Sequence, residues 1–371
     1  MSSITQLILK VAERCNLNCS YCYLYQHEDQ RWRSRPRFMS DEVFDQILRR
    51  VREYCDRRGR HELTLIFHGG EPTLAGPVRI ERFARRAREE LGSRLGGIAM
   101  QTNGTLLDER WIDVVRKTGI ELGVSLDGPA DVHDANRVDF AGRGSYADAV
   151  RGLQLLQTAG LSPSVLCVIN PASSGAEVYR TFRALGVQRF DFLLPDVTHD
   201  SKPRFFPGYE GTPIGDYLIE VFDEWFDEDD PDVKVRLLWG FVSALLGGAS
   251  ETDQFGNPLS AYLVIETDGT IHTNDVYRIC EDGMTASGLD VFRHGFDDLA
   301  QALPLLYRVV HEGVPLSATC EACPERDVCG GGYIPHRYAR ANGFDNPSAW
   351  CDDIRKVLAH VRSRLEVACT V

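Results

Sequence analysis

No run of apolar residues in this chain reaches the roughly 18 that a membrane-crossing helix needs, so no membrane span is expected. The opening MSSITQLILKVAERC lacks the charged-then-apolar pattern of a secretory signal, and the expected location is the cytoplasm. Positive charge is in deficit: 41 Lys and Arg face 54 Asp and Glu, a net charge of -13. That balance argues against a general affinity for nucleic acid or anionic membrane surfaces. Low-complexity tracts and internal repeats are absent too, apart from a strand–helix alternation. Cysteine is not scarce. There are eleven, and in a reducing compartment they read better as metal ligands than as disulfides. Seven fall into two tight groups near opposite ends, while Cys55, Cys167, Cys280 and Cys369 lie outside them.

The 371 residues can bury a large core and suit one big domain with an appendage. Up to about residue 195, short runs rich in Val, Ile, Leu and Phe read as strands. They are Leu7–Val11, Leu63–Phe67, Ile98–Thr102, Glu121–Leu126, Ser164–Ile169 and Arg189–Leu194. Helical patterns separate them: one starts after Ser40, and others cover Val78–Leu91, Glu109–Lys117, Tyr146–Thr158 and Ala176–Leu185. Such a series implies parallel strands with right-handed crossovers, either a partial barrel or an open doubly wound sheet. Both put the active site at the carboxyl ends of the strands, where RCNLNCSYC, HGGEP, TNG and SLDGP all fall. Residues from about 196 to 255 look like a helical bridge, and their acidic run Asp223–Asp232 reads as a solvated face. The pattern then changes to a hairpin turning at Asp268-Gly269, a cysteine-rich loop segment and a last helix over Asp352–Leu365.

Cys15, Cys19 and Cys22 follow the first strand directly, so three thiolates on one short loop can converge on a metal centre. Soft thiolates favour iron–sulfur clusters or zinc. A lone zinc would want a fourth ligand, for which His27 is the nearby candidate. Three ligands on a four-iron cubane instead leave one iron open. The spacing, with Tyr21 before the third cysteine, resembles the signature of radical S-adenosylmethionine (SAM) enzymes. The resemblance continues through His68-Gly69-Gly70-Glu71-Pro72, Gln101-Thr102-Asn103-Gly104 and Ser125-Leu126-Asp127-Gly128. It implies an α/β fold with a partial (β/α)6 TIM-like barrel, a SAM-binding [4Fe–4S] cluster and SAM as cofactors. It further implies that Tyr21 is a cofactor-binding residue, that Gly69, Gly70 and Glu71 hold the SAM ammonium, and that Asn103, Ser125 and Arg137 lie near its ribose and carboxylate. Val168 and Leu194 would neighbour the adenine. The family's chemistry is reductive cleavage of SAM to a 5′-deoxyadenosyl radical that abstracts a substrate hydrogen.

Cys320, Cys323, Cys329 and Cys351 form the second group, which by spacing alone suits either a zinc knuckle or a cluster. It resembles the SPASM extension of peptide-modifying radical SAM enzymes, which implies one auxiliary [4Fe–4S] cluster ligated by all four thiols. A full SPASM segment carries more cysteines. Here Tyr333 and Asn274 stand at two such positions, Cys280 is the one upstream candidate left, and a single auxiliary cluster is expected. The expected domains are the barrel core at 1–195, the bridge at 196–255 and the SPASM-like domain at 256–371.

VIETDGTI, GLDVFRHGF, CGGGYIPHRY and GFDNPSAWCDD are similar to maturases that build three-residue cyclophanes, in particular the FxsB-like branch. That likeness implies a carbon–carbon bond between an aromatic ring and the Cβ of a nearby residue in a ribosomally made precursor peptide. Peptide epimerisation, ether crosslinking and sulfatase maturation are alternatives within the class. A non-catalytic metal-binding or electron-transfer protein is a rival outside it. Cyclophane formation needs a base, for which Asp275, Glu281 and His336 are candidates and Asp275 is preferred. It also implies a low-potential donor such as flavodoxin or ferredoxin. Leader binding is expected on the barrel rim, the bridge or a separate protein.

Overall fold

The computed structural model describes residues 4–59, 62–250, 252–256, 262–299 and 313–368. Its strands are β1 (Gln6–Ala12), β2 (Leu63–Gly69), β3 (Leu95–Thr102), β4 (Glu121–Ser125), β5 (Ser164–Val168), β6 (Arg189–Leu193), β7 (Lys234–Val235), β8 (Tyr262–Ile265) and β9 (Ile271–His272). The helices are α1 (Asp41–Arg58), α2 (Pro77–Leu91), α3 (Glu109–Thr118), α4 (Ala130–Asp134), α5 (Tyr146–Thr158) and α6 (Gly175–Ala184). They continue with α7 (Lys202–Phe205), α8 (Pro213–Glu228), α9 (Arg236–Leu245), α10 (Ala318–Glu321), α11 (Arg326–Cys329) and α12 (Cys351–Ala368). Every strand and helix expected from the sequence forms, with ends shifted by a few residues. Among the described residues no helix is long and apolar enough to cross a membrane.

The chain forms two compact units. The first comprises Met1–Ser125, Arg137–Pro163 and Ser260–Glu312. In it β1 to β4 run parallel, β1 beside β2, β2 beside β3 and β3 beside β4. Helix α1 starts where the Ser40 hydroxyl accepts the Val43 N–H at 3.2 Å, and it buries Phe44, Ile47, Leu48 and Val51. Phe44 stacks on Phe83 of α2 with ring centroids 4.1 Å apart. The hairpin does more than cap the chain: β8 pairs parallel with the free edge of β1, Leu7 opposite Leu263, and β9 returns antiparallel. The segment after β9 contains Asp275, whose carboxylate meets Lys10 of β1.

The second unit comprises Leu126–Asn136, Ser164–Leu259 and Gly313–Val371. Here β5, β6 and β7 run parallel, and α8 packs between α6 and α12. The acidic run on α8 is ion-paired as well as solvated. Glu224 meets Arg180 at 2.5 Å and Glu228 meets Arg183 at 2.8 Å on one side. Asp223 meets His360 at 2.8 Å and also Arg364 on the other. Exposed pairs of this kind contribute about 0–1 kcal/mol each, so the apolar faces carry the packing.

Candidate active site

The cysteine loop leaves β1 already tied to its neighbours. The Asn18 N–H donates to the Val138 carbonyl at 2.7 Å, and the Cys22 N–H donates to that of Cys19 at 3.2 Å. Cys15, Cys19 and Cys22 are half-buried and form no disulfide. The Cys15 sulfur accepts the Leu17 N–H at 3.3 Å and an Asn103 amide N–H at 3.8 Å. Burial, then the Glu71 carboxylate, then the other two thiols raise the Cys15 pKa. Burial followed by Cys19 pushes Cys22 up to about 11. The three thiols therefore sit close enough to feel each other's charge. A cationic iron centre is what would relieve that repulsion, with release of the thiol protons.

The HGGEP motif is stitched to this loop. The Gly70 N–H donates to the Ala12 carbonyl and the Glu71 N–H to that of Arg14, both at 2.9 Å. A Cβ on Gly69 would lie 2.0 Å from the Ala12 carbonyl oxygen, and one on Gly70 would lie 1.9 Å from the Tyr25 hydroxyl. The close approach these glycines permit is that of the chain's own backbone. Glu71 is 1% exposed. Its carboxylate accepts the Thr73 N–H at 3.0 Å, the Thr73 and Thr102 hydroxyls at 2.5 and 2.6 Å, and the Asn103 N–H at 2.7 Å. It therefore latches the end of β2 to the end of β3, and burial still raises its pKa. The expected ammonium contact would compete with four donors already in place.

Asn103 is held by the same network. Its amide donates to Asn16 at 2.9 Å while its carbonyl accepts from Thr105, which also takes a bond from Asn16. Ser125 accepts from Gln101 at 2.9 Å. Arg137 is buried, with its guanidinium 5.5 Å from the centroid of Tyr21, and brings positive charge toward Cys22. Val168 and Leu194 belong to the second unit. There the Val168 N–H donates to the Asp127 carboxylate at 3.1 Å and the Leu194 N–H to Gln254 at 2.6 Å. Asn16, Thr73 and Thr105 were not singled out by sequence, because each is an ordinary polar loop residue until the fold joins them.

Beside the cysteine loop, within the first unit, lies a buried charge network. Asp275 forms an ion pair with Lys10 of β1 and accepts the Tyr23 hydroxyl at 2.9 Å. Burial alone would raise the Asp275 pKa, but Lys10 and Arg278 outweigh it and hold the carboxyl well below the usual carboxylate range. Burial and then Asp275 keep the Tyr23 phenol protonated. His68 lies 3.4 Å from Lys10 and is pushed down to about 4 by burial and that cation, so it is neutral. Next to it Glu13, Glu266, Arg35 and Arg278 pair with one another. Of the other base candidates, Glu281 is exposed and His336 is fully buried with Nε2 3.1 Å from Asp196. Lys10 and Tyr23 were missed in the sequence, although a lysine inside the apolar run LILKV was the available signal.

In the second unit Cys320, Cys323, Cys329 and Cys351 line one cavity of about 150 Å³. A single water needs roughly 10–15 Å³, so the space exceeds what one small ion would fill. Among the described residues no three His, Cys, Asp or Glu side chains close around a single-ion point. Four thiols lining one cavity would suit a cluster, where each sulfur binds its own iron. Burial pushes Cys329 up to about 12 and Cys351 up to about 11. Gly330, Gly331 and Gly332 all have positive φ, which bends the chain sharply after Cys329. Tyr333 is buried; so is Asn274 of the first unit, whose side-chain oxygen accepts the Val276 N–H at 2.9 Å. Arg337 donates to the Asn346 and Pro315 carbonyls, pinning the loop.

Residues 9–184, which hold the first cysteine group and the strand-end motifs, match the radical SAM superfamily. These residues thus form a radical SAM domain, and SAM with a SAM-binding [4Fe–4S] cluster are its cofactors. Over 98% of its length, and 98% of the relative's, it is 26% identical to the cysteine-type anaerobic sulfatase-maturating enzyme of Clostridium perfringens. It is 28% identical to the serine-type enzyme of Bacteroides thetaiotaomicron, over 72% of this chain and 68% of that one. Among solved structures, anSMEcpe with bound AdoMet and Cp18Cys peptide superposes with a TM-score of 0.85, at 22% identity over 99% of both chains. SuiB of Streptococcus suis, bound to the precursor peptide SuiA, gives 0.65 at 15% identity over 95% of this chain and 76% of that one. These likenesses agree with the expected α/β class and its parallel strands.

Proposed function

We propose that this radical SAM enzyme is a peptide or protein maturase that joins an aromatic ring carbon to the Cβ of a nearby residue. The observation that carries the reading is Asp275, a buried and ionised carboxylate that accepts a hydrogen bond from Tyr23, the residue after Cys22. When bound, the cluster and SAM supply a 5′-deoxyadenosyl radical that takes a hydrogen atom from the substrate. Asp275 then accepts the proton released as the attacked ring regains aromaticity. Tyr23 and Lys10 hold that carboxylate in place. The electron released with the proton needs an acceptor, and Cys320, Cys323, Cys329 and Cys351 would hold the auxiliary cluster suited to it. Glu71, Asn103 and Asn16 keep the cysteine loop in register with the ends of β2 and β3. The related structures that carry a bound peptide support a peptide-sized substrate.

Sulfatase maturation is the second reading, favoured by full-length similarity to enzymes of that name. The two separate in one experiment. The protein is coexpressed anaerobically with a short peptide encoded beside it and, separately, with a sulfatase peptide carrying cysteine or serine. A loss of about 2 Da, with fragment ions missing between the two joined residues, is expected for the first peptide. Modification of the sulfatase peptide alone would replace the crosslinking reading with the second. Asp275→Asn should stop product formation while 5′-deoxyadenosine is still made.

A further inference from the structure

We infer that an arginine-rich face beside the cysteine loop is the docking surface for an acidic one-electron carrier protein. Residues 31–37 read RWRSRPR, four arginines in seven positions of a chain whose net charge is -13. Two of the four are neutralised inside the fold. Arg31 pairs with Asp29, and Arg35 pairs with Glu13, Glu266 and Asp268. The other two are exposed. Arg33 lies 4.9 Å over the Trp32 ring and donates to Gln30, while Arg37 lies 5.5 Å over the Phe38 ring. Arg14 covers Trp32 at 4.9 Å, and Arg79 covers Phe38 at 5.2 Å. The partners of these four guanidiniums are rings and neutral oxygens. Among the described residues none of them meets a carboxylate within 4.0 Å.

The face is built onto the cluster loop. Arg14 immediately precedes Cys15, and it donates to the Trp32 carbonyl at 2.6 Å and the Arg33 carbonyl at 3.1 Å. The Glu13 N–H donates to the Arg37 carbonyl at 2.9 Å, and the Met39 N–H to that of Val11 at 3.1 Å. Stacking on rings holds the planar guanidiniums in place before any partner arrives, which lowers the ordering cost of docking. At cellular salt, charges beyond about 8 Å are screened, so this local excess outweighs the acidic remainder of the surface. A nucleic acid would call for a longer basic track along its backbone. What the neighbouring loop requires is an electron. The carrier is oxidised by one electron and the cluster at Cys15, Cys19 and Cys22 is reduced by one. This inference needs that cluster alone and is independent of the substrate proposed above.

The probes are a bacterial flavodoxin and a bacterial ferredoxin, both acidic. Binding is measured by calorimetry on the cluster-loaded chain and on the chain without clusters, at about 50 and about 300 mM salt. Arg33→Glu combined with Arg37→Glu should weaken binding of at least one carrier roughly tenfold or more at low salt. The paired lysine variant should keep the affinity and the paired glutamine variant should fall between. Wild-type affinity should drop with salt while that of the reversed variant changes little. Dithionite, which needs no docking, should still drive 5′-deoxyadenosine formation in the reversed variant. Affinities that ignore the order Arg, Lys, Gln, Glu, or that ignore salt, would overturn the assignment. So would loss of substrate-peptide binding with carrier binding intact.

Discussion

At the scale of single residues, the site turns on one lysine placed where an apolar strand should have none. Lys10 is 2% exposed and meets Asp275, the Tyr23 ring and His68. An ammonium in that position, together with Arg278, holds down the pKa of a carboxylate that burial alone would raise. Substituting Lys10→Gln removes that cation, so the Asp275 pKa rises by about 1–3 pH units. A base works only when ionised, so the acid limb of crosslink formation should move to higher pH. Cleavage of SAM, which does not use the carboxylate, should keep its own profile. Parallel pH series for product and for 5′-deoxyadenosine check this, and Lys10→Arg should restore part of the wild-type limb. The linkage sign is that of a depressed acid. Asp275 contributes stability at neutral pH that is lost only as pH falls through its lowered folded value.

At the scale of elements, the ends of β1 and β2 are fitted to each other through two glycines. A methyl group on Gly70 would fall 2.5 Å from the Arg14 carbonyl group as well as against Tyr25. Since backbone cannot yield as a side-chain tip can, Gly70→Ala should displace the cysteine loop. Reconstituted Gly70→Ala protein should retain its helical circular dichroism yet lose most of the iron bound at Cys15, Cys19 and Cys22. Iron assay with the other four cysteines replaced by alanine reads that site alone. Much of this level was legible beforehand. Ser40 before an apolar stripe, the Asp268-Gly269 turn and the order of strand-end motifs all act locally. The parallel pairing of β8 with β1 was not, because nothing local distinguishes a hairpin standing alone from one that extends a sheet. The same holds for Glu71. Its motif was visible, but the four donors that saturate it come from two strand ends that only the fold brings together.

At the scale of the whole molecule, seven cysteines are divided between two sites, three beside β1 and four around the cavity of the second unit. Full loading should therefore give about eight iron atoms per chain, and Cys320→Ala with Cys351→Ala about four. The double variant should still produce 5′-deoxyadenosine and lose crosslinked product. A wild-type chain that held zinc, or about four irons in all, would remove the auxiliary cluster from the proposal. Buried Asn274 and Tyr333 set the upper bound, because neither offers a thiolate.

The interlocking of Gly69 and Gly70 with Ala12 and Arg14 also dictates an order of assembly. The loop cannot take its shape until two strands about fifty residues apart in sequence have already come together, and such distant parallel pairings form slowly. Iron delivered early would meet a floppy trio of thiols with no preferred arrangement. Maturation in the cell thus has a built-in waiting step: the polypeptide must first pair its first two strands, and the inorganic centre is seated afterwards.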